Sequence, residues 1–244
     1  MRSPLNKRLF RELRGEFGKY LVIFILMTLT IGMVSGFLVA DGSMIQAYEE
    51  SFEKYNIENG HFRTEKKMNN AQIQDIEDLG IKLYENYYVE EALTNGSTMR
   101  IFKNRDEVNK VCLMKGKMPE KPGEIGIDRM YADNNDLSVG DEIESGGHTW
   151  KITGLVALSD YSALFSNNND SMFDSVKFGV SVVCPEEFDS YKADQLNYSY
   201  AWKYNTEPQN EKAEKDISED LMEDVAKEVT LEEFVPRYTN QAII

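Results

Sequence analysis

The chain has 244 residues, of which 27 are Lys or Arg and 42 are Asp or Glu, for a net charge of −15. Charge of that sign repels nucleic acid and anionic surfaces, and it excludes both as partners of the acidic part. Only two histidines and two cysteines are present, which excludes zinc-finger and Cys-x-x-Cys metal or redox patterns.

The charge is unevenly spread. Arg2, Lys7, Arg8, Arg11, Arg14 and Lys19 against Glu12 and Glu16 give residues 1–19 a net of +4, which leaves −19 on residues 20–244. Leu5, Leu9, Leu13 and Phe17 recur at every fourth position, with Phe10 beside them and the basic residues elsewhere. That spacing predicts a basic amphipathic helix lying on a membrane surface. Tyr20–Ala40 then carries no charge over 21 residues. At helical rise this is about 31 Å, the thickness of a bilayer hydrocarbon core. The stretch is longer than a signal-peptide core, and Leu38-Val39-Ala40 is a poor cleavage site, so it reads as an uncleaved anchor. Basic flanks stay in the cytoplasm. The N-terminus is therefore expected inside the cell membrane, with residues 41–244 extracytoplasmic. Within the span, Thr28, Gly32, Gly36 and Ala40 make a stripe of small residues that would let another membrane helix approach closely.

Asp41–Tyr55 prolongs the helical pattern, with Met44, Ile45, Tyr48, Phe52 and Tyr55 on one face. His61–Lys67 reads as a strand, and Asn70–Leu79 as a short helix ended by Gly80. Ile81–Leu93 and Ser97–Lys103 alternate in polarity around Asn95-Gly96, a hairpin turn. Val108–Met114 is a further apolar strand. From Lys115 to Val183 short strands are separated by Gly, Asn, Asp and Pro, and residues 159–175 form a polar loop expected to be mobile. Leu196–Tyr204 is a tyrosine-rich strand. Gln209–Val229 is amphipathic, with Ile217, Leu221, Met222, Val225 and Val229 on one side. The faces carrying Met44, Tyr48 and Phe52, and Leu221, Val225 and Val229, predict two helices that pack together as a stalk. Two separate surface helices are the alternative.

Catalytic patterns are missing. The sequence has no G-x-x-x-x-G-K-[ST], no H-E-x-x-H and no G-x-S-x-G. His61 and His148 lack neighbours at metal-ligand spacing. The acidic clusters at Asp133–Glu142 and Asp160–Asp174 do not fit a calcium loop. No catalytic residue, cofactor site or metal site is expected. Cys112 and Cys184 are two buried thiols or one disulfide; the sequence leaves both open.

One segment carries a recognisable motif. It runs Met114-Lys-Gly116-Lys-Met-Pro119, Pro122-Gly123-Glu124-Ile125-Gly-Ile127, Tyr131-Ala132, Val139-Gly140-Asp141-Glu-Ile143 and Trp150-Lys-Ile152-Thr-Gly154-Leu155-Val156. It resembles the extracytoplasmic domain of FtsX-like (MacB-type) ABC transporter permeases. There a G-x-x-P turn precedes a Gly-Glu-Ile strand, then an alanine-containing helix, a Val-Gly-Asp turn and a strand ending Gly-Leu-Val. Gly116, Pro119, Gly123, Glu124, Ile125, Ala132, Gly140, Asp141 and Gly154 would be structural residues. Ile125, Ile127, Ile143 and Ile152 would point inward.

The order of parts agrees with that family: cytoplasmic amphipathic helix, membrane helix, then a long outer domain. The resemblance implies an α+β fold, an α/β sandwich of ferredoxin-like porter type with an inserted small all-β subdomain and a helical stalk. The expected divisions are a cytoplasmic helix (1–19), a transmembrane helix (20–40), the first part of the core domain (41–114), the β-rich insertion (115–190) and the second part of the core (191–244). It implies the N-terminal part of a permease, since the family's three further membrane helices do not occur in these 244 residues. Its partners would be a cytoplasmic ABC ATPase subunit, a second permease copy or homologous half, the membrane and an unknown transported substrate. Two other readings come from different classes: a single-pass anchored binding or sensory module, and a membrane-anchored hydrolase.

Overall fold

The structure, a computed structural model, describes residues 14–145, 147–161, 164–166 and 172–237. They fall into two units, one ending at Glu50 and the other beginning at Ser51. The expected amphipathic helix at the N-terminus lies outside the described residues, as do parts of the 159–175 loop.

The first unit is helical. Helix α1 spans Phe17–Tyr55, and its Phe17–Ala40 portion has a mean hydropathy of 2.4 with no burial inside the structure. It is long and apolar enough to cross a membrane. Thr28 and Thr30 return their hydroxyl protons to the carbonyls of Phe24 and Leu26, each at 2.8 Å, so neither presents an unsatisfied donor to lipid.

The second unit holds two sheets. Strands β1 (Gly60–Thr64), β2 (Ile81–Glu85), β10 (Tyr198–Tyr204) and β11 (Leu231–Pro236) form the first, in the order β11-β1-β10-β2. Every pairing is antiparallel. Helix α2 (Asn70–Glu77) joins β1 to β2, and helix α5 (Glu211–Glu228) joins β10 to β11. This is the β-α-β-β-α-β order of a ferredoxin-like sandwich, with an insertion where the central hairpin would be. Asn69 caps α2 in a capping box with Gln72, and Asn210 caps α5 through Ala213. Each cap satisfies donors that a helix end otherwise leaves open.

Side chains alternate across the first sheet. One face carries Phe62, Tyr200 and Trp202, with Ile76, Leu221 and Val225 buried in the same core. Phe62 stacks between Tyr200 at 5.6 Å and Phe234 at 6.4 Å. The opposite face carries His61, Arg63, Ser199 and Glu233, so it is polar where a sandwich normally buries apolar residues.

The second sheet contains β3 (Tyr88–Ala92), β4 (Thr98–Lys103), β5 (Val111–Gly116), β6 (Glu124–Asp128), β7 (Glu142–Ser145), β8 (His148–Leu158) and β9 (Phe178–Val183). Its order is β3-β4-β9-β6-β8-β5, with β7 also on β8. An isolated bridge between Leu93 and Ser145 brings the β3 end back to the β7 end. Helix α3 (Arg129–Asn134) follows β6 and is capped by Asp128; α4 (Pro185–Phe188) follows β9.

The α+β class, the apolar helix and the ferredoxin-like layer agree with the sequence reading. The division at residues 114 and 115 does not follow the sheets: it cuts through β5, and β4, with β3 beside it, pairs with β9 of the expected insertion. Ile81–Leu93, one alternating run in sequence, is two strands in different sheets, broken at Asn86–Tyr87. A period of two fixes which face a residue takes and says nothing about which sheet it joins.

Candidate functional site

The polar face of the first sheet meets the second sheet along a seam of charged side chains. His61 and Arg63 come from β1, Arg100 from β4, Glu233 from β11, and Arg237 lies just beyond β11. Together with Tyr88, Phe102, Asp160, Tyr161, Phe165 and Ser166 they line a cavity of about 170 Å³.

Arg105 is the anchor of the seam. Its guanidinium holds Asp160 in a bidentate pair, at 2.6 and 2.9 Å, and gives a third bond to Asn86 Oδ1 at 3.0 Å. Both charged side chains are nearly enclosed, at 7% and 5% exposure, and the guanidinium lies 4.8 Å from the Phe102 ring centroid. Planar donors suit this geometry; a lysine could not reproduce it. Arg237 donates to the Asp160 carbonyl at 2.8 Å, so β11's exit is tied to the same loop.

Arg100 is held just as closely. It donates to Glu90 at 2.6 and 2.9 Å, to Tyr161 Oη at 2.8 Å and to the Ser166 carbonyl at 2.9 Å. Its guanidinium sits 4.4 Å from the Tyr88 ring centroid. Burial disfavours the charge, but Tyr161, Tyr88 and Glu90 outweigh it and raise the affinity for the proton. Arg63 reaches Tyr88 Oη at 3.0 Å and Glu232 at 3.0 Å.

Glu58 completes the network. It is wholly buried. Its carboxylate lies 2.7 Å from His61 Nδ1, 2.5 Å from Asn109 Nδ2 and 3.9 Å from Arg237. Burial alone would push its pKa up; the His61 charge and hydrogen bond, Arg237 and Asn109 reverse that and hold it at about 2. Burial likewise opposes the charge on His61, but Glu58 overcomes it and raises the histidine above its ordinary value. With His61 protonated, the four arginines and the histidine balance Glu58, Glu90, Asp160, Glu232 and Glu233. The seam is thus a closed charge network joining two sheets and a loop. It contains no activated nucleophile, and among the described residues no group of His, Cys, Asp and Glu has metal-ligand geometry.

The residues singled out in sequence are placed as follows. An added β-carbon at Gly32 or Gly36 would meet nothing within 4 Å, and Thr28 and Ala40 are exposed on the same helix. The side chains of Met44 and Tyr48 lie outside the described residues; Phe52 is half-buried. Leu221 and Val225 are buried in the core of the ferredoxin-like layer, with Val229 packed against it, so the apolar face expected to pack on the first helix as a stalk is used instead to cover the domain's own sheet. Ile125, Ile127, Ile143 and Ile152 are buried.

The motif residues hold the second sheet together. Gly116, at φ +81°, pairs with Gly154 across β5 and β8. Glu124 Oε2 accepts the Glu120 N–H at 2.9 Å, and the Gly123 N–H donates to Glu187 at 2.7 Å. Pro119 and Ala132 are buried. Gly140, at φ +106°, turns the chain into β7, and Asp141 accepts the Ser138 N–H at 2.8 Å. Cys112 and Cys184 are free thiols. The seam arginines escaped sequence reasoning. Their one local signal was cationic residues in or just after strands of an acidic domain; Arg105 and Arg237 find their partners far away in the chain.

No protein-family model matches the chain, and no curated protein does. Solved structures similar to it include the following two. The periplasmic region of MacB from Actinobacillus actinomycetemcomitans is 12% identical, with a TM-score of 0.36, over 70% of this chain and 85% of that one. The extracellular domain of the noncanonic ABC-type transporter YknZ from Gram-positive bacteria is 10% identical, with a TM-score of 0.37, over 70% of this chain and 91% of that one.

Proposed function

We infer that this chain is the N-terminal part of an ABC transporter permease subunit, whose work is mechanical. The observation that carries the reading is the motif running from Gly116 to Gly154, whose residues occupy the constrained backbone positions of one sheet. It sits in a chain that also has a membrane-length helix before its α+β domain. The resemblance drawn from that motif assigns ATP hydrolysis to a separate cytoplasmic subunit. Helix α1 would cross the membrane with its basic end in the cytoplasm, and its small-residue stripe would pack on neighbouring membrane helices. Motion of those helices would reach the outer domain through the end of α1, whose last residues belong to the outer unit. The transported or sensed molecule would be a peptide, an antibiotic or a lipid-like compound.

The test is purification of the protein from its native membrane in mild detergent. Recovery of a Walker A subunit whose ATP hydrolysis requires this chain supports the reading. Recovery of the chain alone, with the outer domain folded and binding a ligand by itself, overturns it in favour of an anchored binding module. Orientation is read separately: a cysteine placed at Lys66, in a background without Cys112 and Cys184, should react with a membrane-impermeant maleimide on intact cells.

A further inference from the structure

Strand β3 lies at the end of the second sheet, and its outer edge is paired at both ends but not in the middle. The Tyr88 N–H donates to the Asn197 carbonyl at 3.2 Å, and Asn197 returns a bond to Tyr88 at 2.8 Å. Beyond the other end, the Thr94 N–H donates to the Glu144 carbonyl at 3.1 Å, beside the Leu93–Ser145 bridge. Leu93 donates to Ser97 across the hairpin. Backbone groups alternate in direction along an antiparallel strand. Leu93, Glu91 and Val89 therefore point at β4, while Glu90 and Ala92 point outward. Among the described residues neither of these two has a backbone partner on the outer side. The neighbouring chain meets the edge, leaves it for two outward-facing residues, and meets it again.

The gap opens onto two grooves. One, of about 460 Å³, is lined by Glu90, Glu91, Tyr191 and Gln195; the other, of about 490 Å³, by Thr94, Glu144 and Thr149. Ala92 and His148 line both, so the grooves adjoin at the gap. Their volumes fall in the range of ligand-binding clefts. The wall is acidic. The Glu91 carboxylate accepts the Tyr191 hydroxyl at 2.9 Å and the Ser145 hydroxyl; no described cation is within ion-pair distance of it. Glu144 is exposed on the facing side.

We propose that this gap is a docking slot for an extended, basic segment of a partner polypeptide, which pairs with Glu90 and Ala92 as an added strand. Main-chain bonds would supply the grip, and alternate lysine or arginine side chains would reach Glu91 and Glu144. Charge complementarity selects a basic partner, because an acidic strand would place its carboxylates beside two others. The slot belongs to the outer domain's own geometry and stands whether or not an ATPase subunit is found. The competing account is an edge kept solitary by its charges.

The experiment uses the full chain in detergent micelles and a fluorescein-labelled Val-Lys-Val-Lys-Val-Lys peptide, read by fluorescence polarisation. Saturable binding is expected. N-methylation of every second residue should abolish it in one frame and spare it in the other, because only alternate amides face a neighbouring strand. Ala92→Pro removes an outward N–H without touching the β3–β4 ladder, and should weaken binding at least tenfold with thermal unfolding unchanged. Glu91→Gln should weaken it several-fold, and a Val-Glu-Val-Glu-Val-Glu peptide should not bind. Absence of saturable binding, or binding equally indifferent to both N-methylation frames, overturns the proposal: the first outcome marks a protected edge, the second a diffuse attraction of charges.

Discussion

Gly116 and Gly154 face each other across β5 and β8, and neither position has room for a β-carbon. At Gly154 an added β-carbon would lie 2.5 Å from the Lys117 carbonyl oxygen, and at Gly116 it would collide with the Thr153 carbonyl. Both obstacles are backbone, which cannot rotate aside. Two glycines in different parts of the motif therefore answer one constraint, the close approach of the turn after β5 to the middle of β8.

Gly154→Ala should accordingly destabilise the outer domain by at least the ~1–3 kcal/mol typical of overpacking. Gly140→Ala meets no atom within 4 Å and suffers only from its positive φ, a cost of about 1–2 kcal/mol. Thermal unfolding of the two variants side by side would check the ranking. Equal effects would remove the steric account of Gly154.

The Glu58–His61 pair gives stability a defined pH window. Glu58 is held at about 2, below the ordinary 4.5, so its contribution is present above pH 4.5 and is lost as pH falls toward 2. His61 is raised above the ordinary 6.5, so its contribution is complete below pH 6.5 and is lost as pH rises through the raised value. This pair should be most stabilising between pH 4.5 and 6.5. In His61→Gln the alkaline decline should disappear and the acid decline should shrink, because the His61 charge and hydrogen bond are the chief causes that lower Glu58. Denaturant titrations across pH would measure both slopes.

The Arg105–Asp160 pair should be costly to break and cheaper to replace. Arg105→Met leaves a buried carboxylate without its partner, for a loss of about 3–5 kcal/mol. The double change Arg105→Met with Asp160→Leu should recover part of that loss. A double change worse than the single one would mean that the Asp160 carboxylate is sustained by something other than Arg105.

Helix α5 distinguishes its two sides. Leu221 is 4% exposed and Ile217 is 43% exposed. Leu221→Ala should cost about 2–5 kcal/mol, whereas Ile217→Ala should stay within about 0.5 kcal/mol. Comparable losses at both sites would show that the Ile217 side is covered in the assembled protein. Leu221→Pro breaks the helix as well, and should destabilise the outer domain more than Leu221→Ala does.

Gly36→Leu adds a side chain where a β-carbon would meet nothing within 4 Å among the described residues. The outer domain should fold and reach the outside as before. Association with neighbouring membrane helices should fall, as read by co-purification of the partner subunits. Undiminished assembly would end the role proposed for the stripe.

Much of the outer domain was legible because it rests on near neighbours. The capped helix at Asn70, the hairpin at Asn95-Gly96, the strand at Tyr198–Tyr204 and the long α5 each follow from spacing, caps and turn residues within a few positions. The motif glycines could be picked out because positive φ and close approach leave few alternatives. The charge seam could not be. Arg105 and Asp160 are 55 residues apart, and either one alone reads as a solvated surface charge.

The sequence by itself determined a charge-free helix of membrane length, a basic flank before it, an acidic α+β domain after it, and where the chain must turn. Those are properties of composition and short-range stereochemistry. The tertiary structure decided which sheet each strand joined. Thr98 pairs in parallel with Phe178 and Gly60 with both Trp202 and Pro236, and no local rule chooses among such partners. It decided too that one face of the ferredoxin-like sheet would carry ion pairs, and that β3 would keep two outward residues unpaired. Such features arise only when segments distant in sequence meet, because a charge or an unpaired amide acquires its meaning from what is brought beside it.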